Sequence, residues 1–458
     1  MMKFYKIIIL TTSQIFTLLF NFFVQVILAK YYGISETGTY FSLISLMNIM
    51  SVVGLFGINK YYIYIKSANI KIDDFITKNL MLVYIVLNII CGLLLFIIGY
   101  IRFPDYILFT ISCMFLMILT NSIAIISSVI QINDKIINIS FLNLIVPFLK
   151  VSGLIIGMVF VGHLLIGYSI YITLFSIIIL TLFTLIYIKK NKEIMKQPKT
   201  NIKHTIRTLI PYALLNIFFL IYTQGNTFYL GILSSTHQAA YFGISYLFLN
   251  TIFIFPTAVY QKILAHKMIY FLFNNVQLFK LYYKSIQELL LSFSILAMLC
   301  IYFLSDWLIL LFFGNEYKES IEILKLLVII IPFRLMTISI GTILSNDKYI
   351  KSRLHIEILV TFLNAIINFS LIPFWGINGA LTSVIITEIS IAVLFEKTVN
   401  NDFNIKLNKS IYLLLILSLS VIFIKFNLFI EVIIVALVLL ISFKMIFERV
   451  KSLWKGQM

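Results

Sequence analysis

A chain of 458 residues that is 61% hydrophobic, only 12% charged and formally +17 is excluded from the soluble domains, and its mean hydropathy of +1.04 says the same. The positive charge falls between apolar runs instead of on one polar domain, which excludes nucleic acid as its target and leaves membrane topology and anionic headgroups. The class is all-α and polytopic, because helices satisfy their own backbone groups in lipid.

Apolar runs of roughly 20 residues can each cross a hydrocarbon core about 30 Å thick. They fall near 5–29, 39–59, 79–101, 106–130, 140–161 and 165–188, then 208–232, 240–262, 285–312, 321–344, 354–373 and 377–396. Two more, near 410–424 and 427–447, bring the expectation to about fourteen transmembrane helices, the shorter of the pair being marginal. The opening MMKFYKIIILTTSQIFTLLFNFF has a basic tip, but its apolar stretch is too long for a signal peptide and lacks a small-x-small cleavage site, so it reads as a retained first span.

The first span carries Gln14, Asn21 and Gln25 on one helical face with Thr17 beside them; the second adds Ser45, Asn48 and Ser51. Residues 60–78 and 266–284 mix aromatic and basic side chains and read as anchors along the inner leaflet. In the seventh span Tyr212, Asn216, Thr223 and Asn226 form a second polar stripe, and the eighth carries Tyr246 and Asn250. Polar stripes on membrane helices must face other helices or water, so stripes on equivalent helices fit a shared cavity as well as ordinary interhelical hydrogen bonding. Cys91, Cys113 and Cys300 all fall in spans, which argues against disulfides and metal clusters.

The chain repeats itself. GTYFSLISL (38–46) resembles AAYFGISYL (239–247), and INDKIIN (132–138) resembles SNDKYIK (345–351), each pair separated by about 200 residues and in the same order. This predicts a six-helix lobe over 1–190, a basic cytoplasmic linker over 191–207, a second six-helix lobe over 208–396 related to the first by a pseudo-two-fold axis, and over 397–458 two additional helices and a basic tail. With Lys3 and Lys6 inside, nearly all Lys and Arg clusters fall on the cytoplasmic side and only Lys30, Arg102, Lys318, Lys325 and Lys425 opposite. That distribution places both termini in the cytoplasm. Parallel lobes with polar seams predict alternating access about a site between them.

Two cations lie mid-span: Arg334 just after Pro332 in the tenth, and Lys150 just after Pro147 in the fifth, with Asn143, Gly153 and Gly157 along its face. Each costs about 2.5–3.5 kcal/mol to insert at the bilayer centre and needs compensation. Glu388, with Ser383 and Thr387 one turn away, is the one carboxylate the sequence places deep in a span, as a charge partner or coupling group. Two cations against one anion predict a net positive cavity suited to a phosphorylated cargo. The alternative is a structural Arg334–Glu388 pair with Lys150 near an edge. No G-x-x-x-x-G-K-[ST] loop is present, outer loops are short, and no His spacing fits a metal, so neither an ATPase, a membrane polymerase, a cofactor nor a metal is expected.

LAKYYGISETGTYFSLISL (28–46), LLFFGNEYKESIEILKLL (310–327), SNDKYIKSRLHI (345–356) and LIPFWGINGALTS (371–383) resemble polysaccharide-biosynthesis flippases of the Wzx type, in the multidrug/oligosaccharidyl-lipid/polysaccharide (MOP) exporter superfamily. The resemblance covers the first 396 residues, and its more specific parts are Phe313, Gly314 and Tyr317 (F-G-x-x-Y) and Gly376, Gly379 and Ala380 (G-x-x-G-A). It implies a bacterial inner-membrane protein, not an enzyme, that moves an undecaprenyl-pyrophosphate-linked oligosaccharide repeat unit of the O-antigen type to the periplasmic leaflet. Its implied partners are that lipid-linked substrate, membrane lipids, an H+ or Na+ coupling ion, a polysaccharide polymerase and chain-length proteins. Arg334 and Lys150, with Asn21, Gln25, Asn48, Asn216, Asn226 and Asn250, are the expected cavity residues for pyrophosphate and sugar. Many relatives carry an acid near the position of Asn226, which puts ion coupling there in doubt. A multidrug or cation antiporter of the same superfamily, a peptidoglycan-precursor flippase and a non-transport assembly scaffold are the alternatives.

Overall fold

The structure is a computed structural model, and it describes residues 4–59, 78–132, 136–160, 164–190, 202–260, 265–346, 348–405, 407–424 and 427–455. Among these residues there is no strand. Sixteen α-helices account for nearly all of them: α1 (Phe4–Tyr31), α2 (Gly33–Leu55), α3 (Lys78–Arg102), α4 (Ile107–Ile132), α5 (Ile136–Phe160), α6 (Leu164–Lys190), α7 (Ile202–Leu233), α8 (Thr236–Val259), α9 (Ala265–Asn274), α10 (Val276–Phe313), α11 (Glu319–Leu327), α12 (Ile330–Ile343), α13 (Ile350–Trp375), α14 (Ile377–Phe403), α15 (Lys409–Phe423) and α16 (Leu428–Lys455). Nine helices among the described residues are long and apolar enough to cross a membrane, or ten if the bent pair α11 and α12 is one span. The chain is therefore a multi-pass membrane protein. Nearly all of the inner-leaflet stretch expected at 60–78 and the linker residues 191–201 lie outside the described residues.

By packing, the chain divides into Met1–Ala240 and Tyr241–Met458. In the first unit α1 lies along α5, α5 and α4 flank α6, and α7 runs along α2. The approach of α2 to the segment after it in space is close because glycine permits it: a Cβ on Gly38 would stand 1.7 Å from the Thr236 carbonyl oxygen, and one on Gly231 would stand 2.0 Å from Ser42 Oγ. Ser35 Oγ and Thr236 Oγ1 lie 3.2 Å apart across 201 residues, the same offset that superposes GTYFSLISL on AAYFGISYL. Residues equivalent in the repeat thus touch each other. A buried cluster of Tyr40, Phe109 and Tyr168 joins α2, α4 and α6, with ring centroids 5.5–6.0 Å apart.

In the second unit α10 is the longest helix. Asn275 caps it by accepting from Leu278 N–H at 3.0 Å, so the second half of the stretch expected at 266–284 is the start of this span and only α9 precedes it as a separate helix. The tenth span, expected as one helix over 321–344, is broken: α11 and α12 meet at 47°. Pro332 explains the break, since it offers no N–H to the Val328 carbonyl four residues earlier. Ile331 N–H takes that carbonyl instead at 3.1 Å, a tighter 3₁₀-type bond.

The motifs that carried the resemblance are corners. Gly314 (φ +84°) and Gly376 (φ +53°) sit in backbone regions that favour glycine. Gly379 brings α14 against α13, where an added Cβ would stand 2.7 Å from the Leu371 carbonyl carbon. Tyr317 is fully buried and packs edge-on to Phe313 and Tyr241.

Candidate functional site

The residues singled out from the sequence divide between the two units. Asn21 and Gln25 on α1, Asn48 on α2, Lys150 on α5 and Asn216 and Asn226 on α7 belong to the first; Asn250 on α8, Arg334 on α12 and Glu388 on α14 belong to the second. The side chains of Gln14 and Tyr212 lie outside the described residues.

The second unit brings two of them together. Arg334 Nη1 donates to Glu388 Oε1 at 2.7 Å, with the arginine 5% and the glutamate 2% exposed. The helices place the pair: Arg334 sits one turn into α12 after the break, and Glu388 faces it from the middle of α14, which packs along α12. The guanidinium carbon also lies 5.8 Å from the Phe253 ring centre on α8, and buried Tyr246 stands within electrostatic reach of both charges. Glu388 Oε2 is buried and has no hydrogen-bond partner among the described residues. The pair is thus monodentate at the carboxylate, which leaves an acceptor open in a low-dielectric interior. Asn250 is half-buried, and no hydrogen bond among the described residues ties it to this pair.

One turn along α14 lies a polar network that sequence reasoning caught in part, through Ser383 and Thr387. Asn364 Nδ2 donates to Ser383 Oγ at 2.9 Å and to Thr387 Oγ1 at 3.0 Å, and Asn368 Nδ2 donates to Ser383 Oγ at 2.9 Å. The asparagines were missed, although their i, i+4 spacing continues a stripe with Glu357 and Thr361 that was a readable signal.

In the first unit Lys150 is half-buried on α5, and among the described residues it makes no ion pair. Asn21 and Asn48 are half-buried, as is Gln25, whose Oε1 has no hydrogen-bond partner among the described residues. Asn226 is buried and donates to its own helix, at the Tyr222 carbonyl, 2.9 Å away. A chain of hydrogen bonds that the sequence did not disclose runs from Ser51 Oγ to Asn121 Oδ1 (2.5 Å), from Asn121 Nδ2 to Asn88 Oδ1 (2.7 Å) and from Asn88 Nδ2 to the Gly54 carbonyl (3.1 Å). It knits α2, α3 and α4 together.

Glu388 is not the only deeply buried carboxylate. Glu288 and Glu357 are as deeply placed. Glu357 accepts from Arg353 Nε at 2.8 Å, and Arg353 Nη1 also donates to the Gly341 carbonyl at 2.7 Å near the end of α12. Glu288 receives Arg449 from α16, the Asn408 backbone N–H at 2.9 Å and, at 4.0 Å, Lys284. Both lie near span ends, where a carboxylate reads as able to reach water, so depth could be assigned only after packing. Outside the spans, Lys348 donates to Asp402 Oδ2 at 2.8 Å and to the Tyr349 hydroxyl at 2.8 Å. Its hydrogen bond to Asp402 is the first reason, and that to Tyr349 the second, that its ammonium is held above the ordinary lysine value.

These helices, with charges and amides turned into apolar bundles, define an all-helical multi-pass membrane protein with the fold of lipid flippases and multidrug exporters. The chain is similar to the solved lipid II flippase MurJ in an inward closed conformation, with a TM-score of 0.65 at 18% identity over 97% of this chain and 99% of that one. It is similar to the Vibrio cholerae MATE transporter VcmN, with a TM-score of 0.54 at 15% identity, covering 87% and 97% of the two chains. An inward-facing multidrug resistance MATE family transporter of the MOP superfamily also matches, with a TM-score of 0.54 at 13% identity, covering 85% and 96%. At these identities the likeness is one of fold. No family model matches the sequence, and no curated protein does.

Proposed function

We propose that this protein is a flippase of the MOP type that carries a lipid-linked oligosaccharide with a diphosphate head, such as an O-antigen repeat unit, across a bacterial inner membrane by alternating access. The fold likeness to a lipid II flippase over nearly the full length of both chains supports lipid-linked cargo. The observation that carries the sign of the cargo is Lys150, a half-buried ammonium in a membrane span that makes no ion pair among the described residues. An unneutralised cation at that depth costs a few kcal/mol, a cost that an anionic head offsets when it arrives. Sugar hydroxyls need partners on the way, since each one desolvated without a hydrogen bond costs about 1–3 kcal/mol. Half-buried amides such as Asn21, Gln25 and Asn48 are suited to supply them. The prenyl chain can remain in lipid.

The test is flipping of a fluorescent prenyl-diphosphate oligosaccharide in proteoliposomes. Lys150→Ala is expected to slow it at least about tenfold, a loss of about 1.4 kcal/mol, while Lys150→Arg retains most of the rate. An unchanged rate in Lys150→Ala would remove the lysine from cargo binding. A second reading, export of a cationic compound, draws on the neutralisation of Arg334 by Glu388, which lowers the buried positive surplus; faster uptake of a cationic dye than of the diphosphate lipid would favour it. Transfer of a lipid II analogue in preference to the O-antigen type would assign a peptidoglycan precursor as cargo.

A further inference from the structure

We infer that α5 carries both halves of a subsite for the cargo head: Lys150 holds the diphosphate, and the backbone carbonyl of Asn143, freed from the helix by Pro147, accepts a hydrogen bond from the first sugar. The inference rests on the diphosphate reading above and adds to it the group that tells a sugar-bearing head from a bare one.

Three observations carry it. The first is the chemistry of the helix itself. Pro147 lies inside α5 and has no N–H, so the carbonyl four residues earlier, that of Asn143, loses its regular helical donor. Among the described residues no side chain donates to that carbonyl. At membrane depth a freed carbonyl needs another partner.

The second is the face on which it stands. The exposed apolar residues Phe141, Phe148, Ile155 and Val159 recur at intervals of seven and four and form the lipid stripe of α5. Asn143, Pro147 and Lys150, spaced four and three apart, lie on the other side of the helix. There Asn143 and Lys150 are only half-buried. Polar residues that turn away from the lipid stripe and stay partly accessible open onto a space other than lipid.

The third is the neighbouring helix. The Phe20 ring of α1 lies 6.3 Å from that of Phe148, and farther on the Tyr32 hydroxyl donates to the Leu154 carbonyl at 3.0 Å. Asn21 and Lys150 both stand between these two contacts, within about one turn of each other in height. Asn21 is half-buried and is turned from the exposed apolar residues of α1, Phe16, Leu19 and Phe23. Two helices therefore offer polar groups on the side away from lipid at one level.

The spacing suits a glycosyl diphosphate. Lys150 stands about 10 Å beyond Asn143 along the axis, and helical side chains lean toward the helix start, which brings the ammonium nearer to the carbonyl. The gap that remains is of the size that separates a phosphate from a hydroxyl of the sugar it bears. A doubly esterified diphosphate has no proton to donate at neutral pH, so it satisfies the ammonium and not the carbonyl. The sugar supplies the missing donor as a hydroxyl or an amide N–H.

The experiment uses the full chain in nanodiscs and measures affinity for two fluorescent probes of equal charge, a prenyl diphosphate bearing one sugar and a prenyl diphosphate capped by a methyl ester. Wild type is expected to bind the sugar probe roughly tenfold more tightly, equivalent to about 1.4 kcal/mol. Pro147→Ala restores an N–H for the Asn143 carbonyl and is expected to bring the two affinities to within about twofold of each other, with the methyl probe bound as in wild type. A mere change of helix shape would weaken both probes. Pro147→Gly restores the same N–H and serves as the second variant should the alanine prevent folding. Lys150→Ala is expected to weaken both probes alike, by about tenfold. A sugar preference that survives in the proline variants, or that is absent from wild type, overturns the carbonyl as sugar acceptor and leaves the diphosphate reading standing. Unchanged binding of both probes in Lys150→Ala overturns both. A soluble nucleoside diphosphate bearing the same sugar is expected to bind more weakly than the lipid-borne probe, and equal binding would overturn the lipid-borne source of the ligand.

Discussion

Arg334 and Glu388 form a buried ion pair in the second unit, Nη1 to Oε1 at 2.7 Å. Removing one partner strands the other in the bundle, and breaking such a pair costs about 3–5 kcal/mol. Replacing both by apolar residues of similar volume is often neutral or better. Arg334→Met alone is therefore expected to lower the unfolding temperature in detergent, and Glu388→Met added to it is expected to restore most of the loss. Transport is expected to stay low in the double variant, because the guanidinium is gone. Recovery of both stability and flipping in the double variant would reduce the pair to packing. The residues were legible in the sequence, since a charge inside an apolar run stands out whatever its neighbours; their pairing across 54 residues was one of two readings. Asn226 marks the opposite limit. Its place on a polar stripe was visible, and it donates to its own helix at the Tyr222 carbonyl; no periodicity reveals which partners an amide on such a stripe takes.

Among elements, the C-terminal pair α15 and α16 is the instructive case. α15 has only 15 residues and is the marginal span of the sequence reading. Its anchorage is polar: Glu288, fully buried on α10, binds the Asn408 N–H just before α15 and Arg449 near the end of α16. One carboxylate therefore ties both helices to α10, along which α16 packs. Glu288→Ala is expected to destabilise the protein by about 3 kcal/mol and to expose the segment joining α14 and α15 to limited proteolysis. Retention of wild-type protection would show that apolar packing alone holds the pair. The Lys284 and Glu288 spacing was readable, whereas Arg449 lies far along the chain and only folding brings it there. The tenth span is similar: Pro332 was evident, yet proline kinks some helices and merely begins others, and the 47° bend belongs to the packed state.

For the whole molecule, the surplus of positive charge has a physical consequence independent of cargo. Basic residues at the ends of spans attract anionic headgroups, at about 1 kcal/mol for each lysine or arginine near the surface, and a ligand that binds only the folded protein raises its stability by mass action. Adding phosphatidylglycerol or cardiolipin is expected to raise the unfolding temperature above that in phosphatidylcholine, with the gain shrinking as salt rises. Equal temperatures in both lipids would mean that the surplus serves topology alone. The Lys348–Asp402 contact adds little to this: Lys348 is largely exposed, and a contribution from its raised ammonium is present through neutral pH and lost only as pH climbs past the lysine range.

Hydropathy, the order of spans and the repeat were determined by sequence alone, because each is a local property. An apolar run must cross or be buried, and a duplicated segment keeps its order. The tertiary structure decided which charges are neutralised, that Glu388 is joined in the interior by Glu288 and Glu357, where the tenth span breaks, and that α7 packs along α2 within the first unit. The reason is dielectric and geometric: the cost of a buried charge depends on the distance to its nearest opposite charge, and that distance joins residues tens or hundreds of positions apart in the chain.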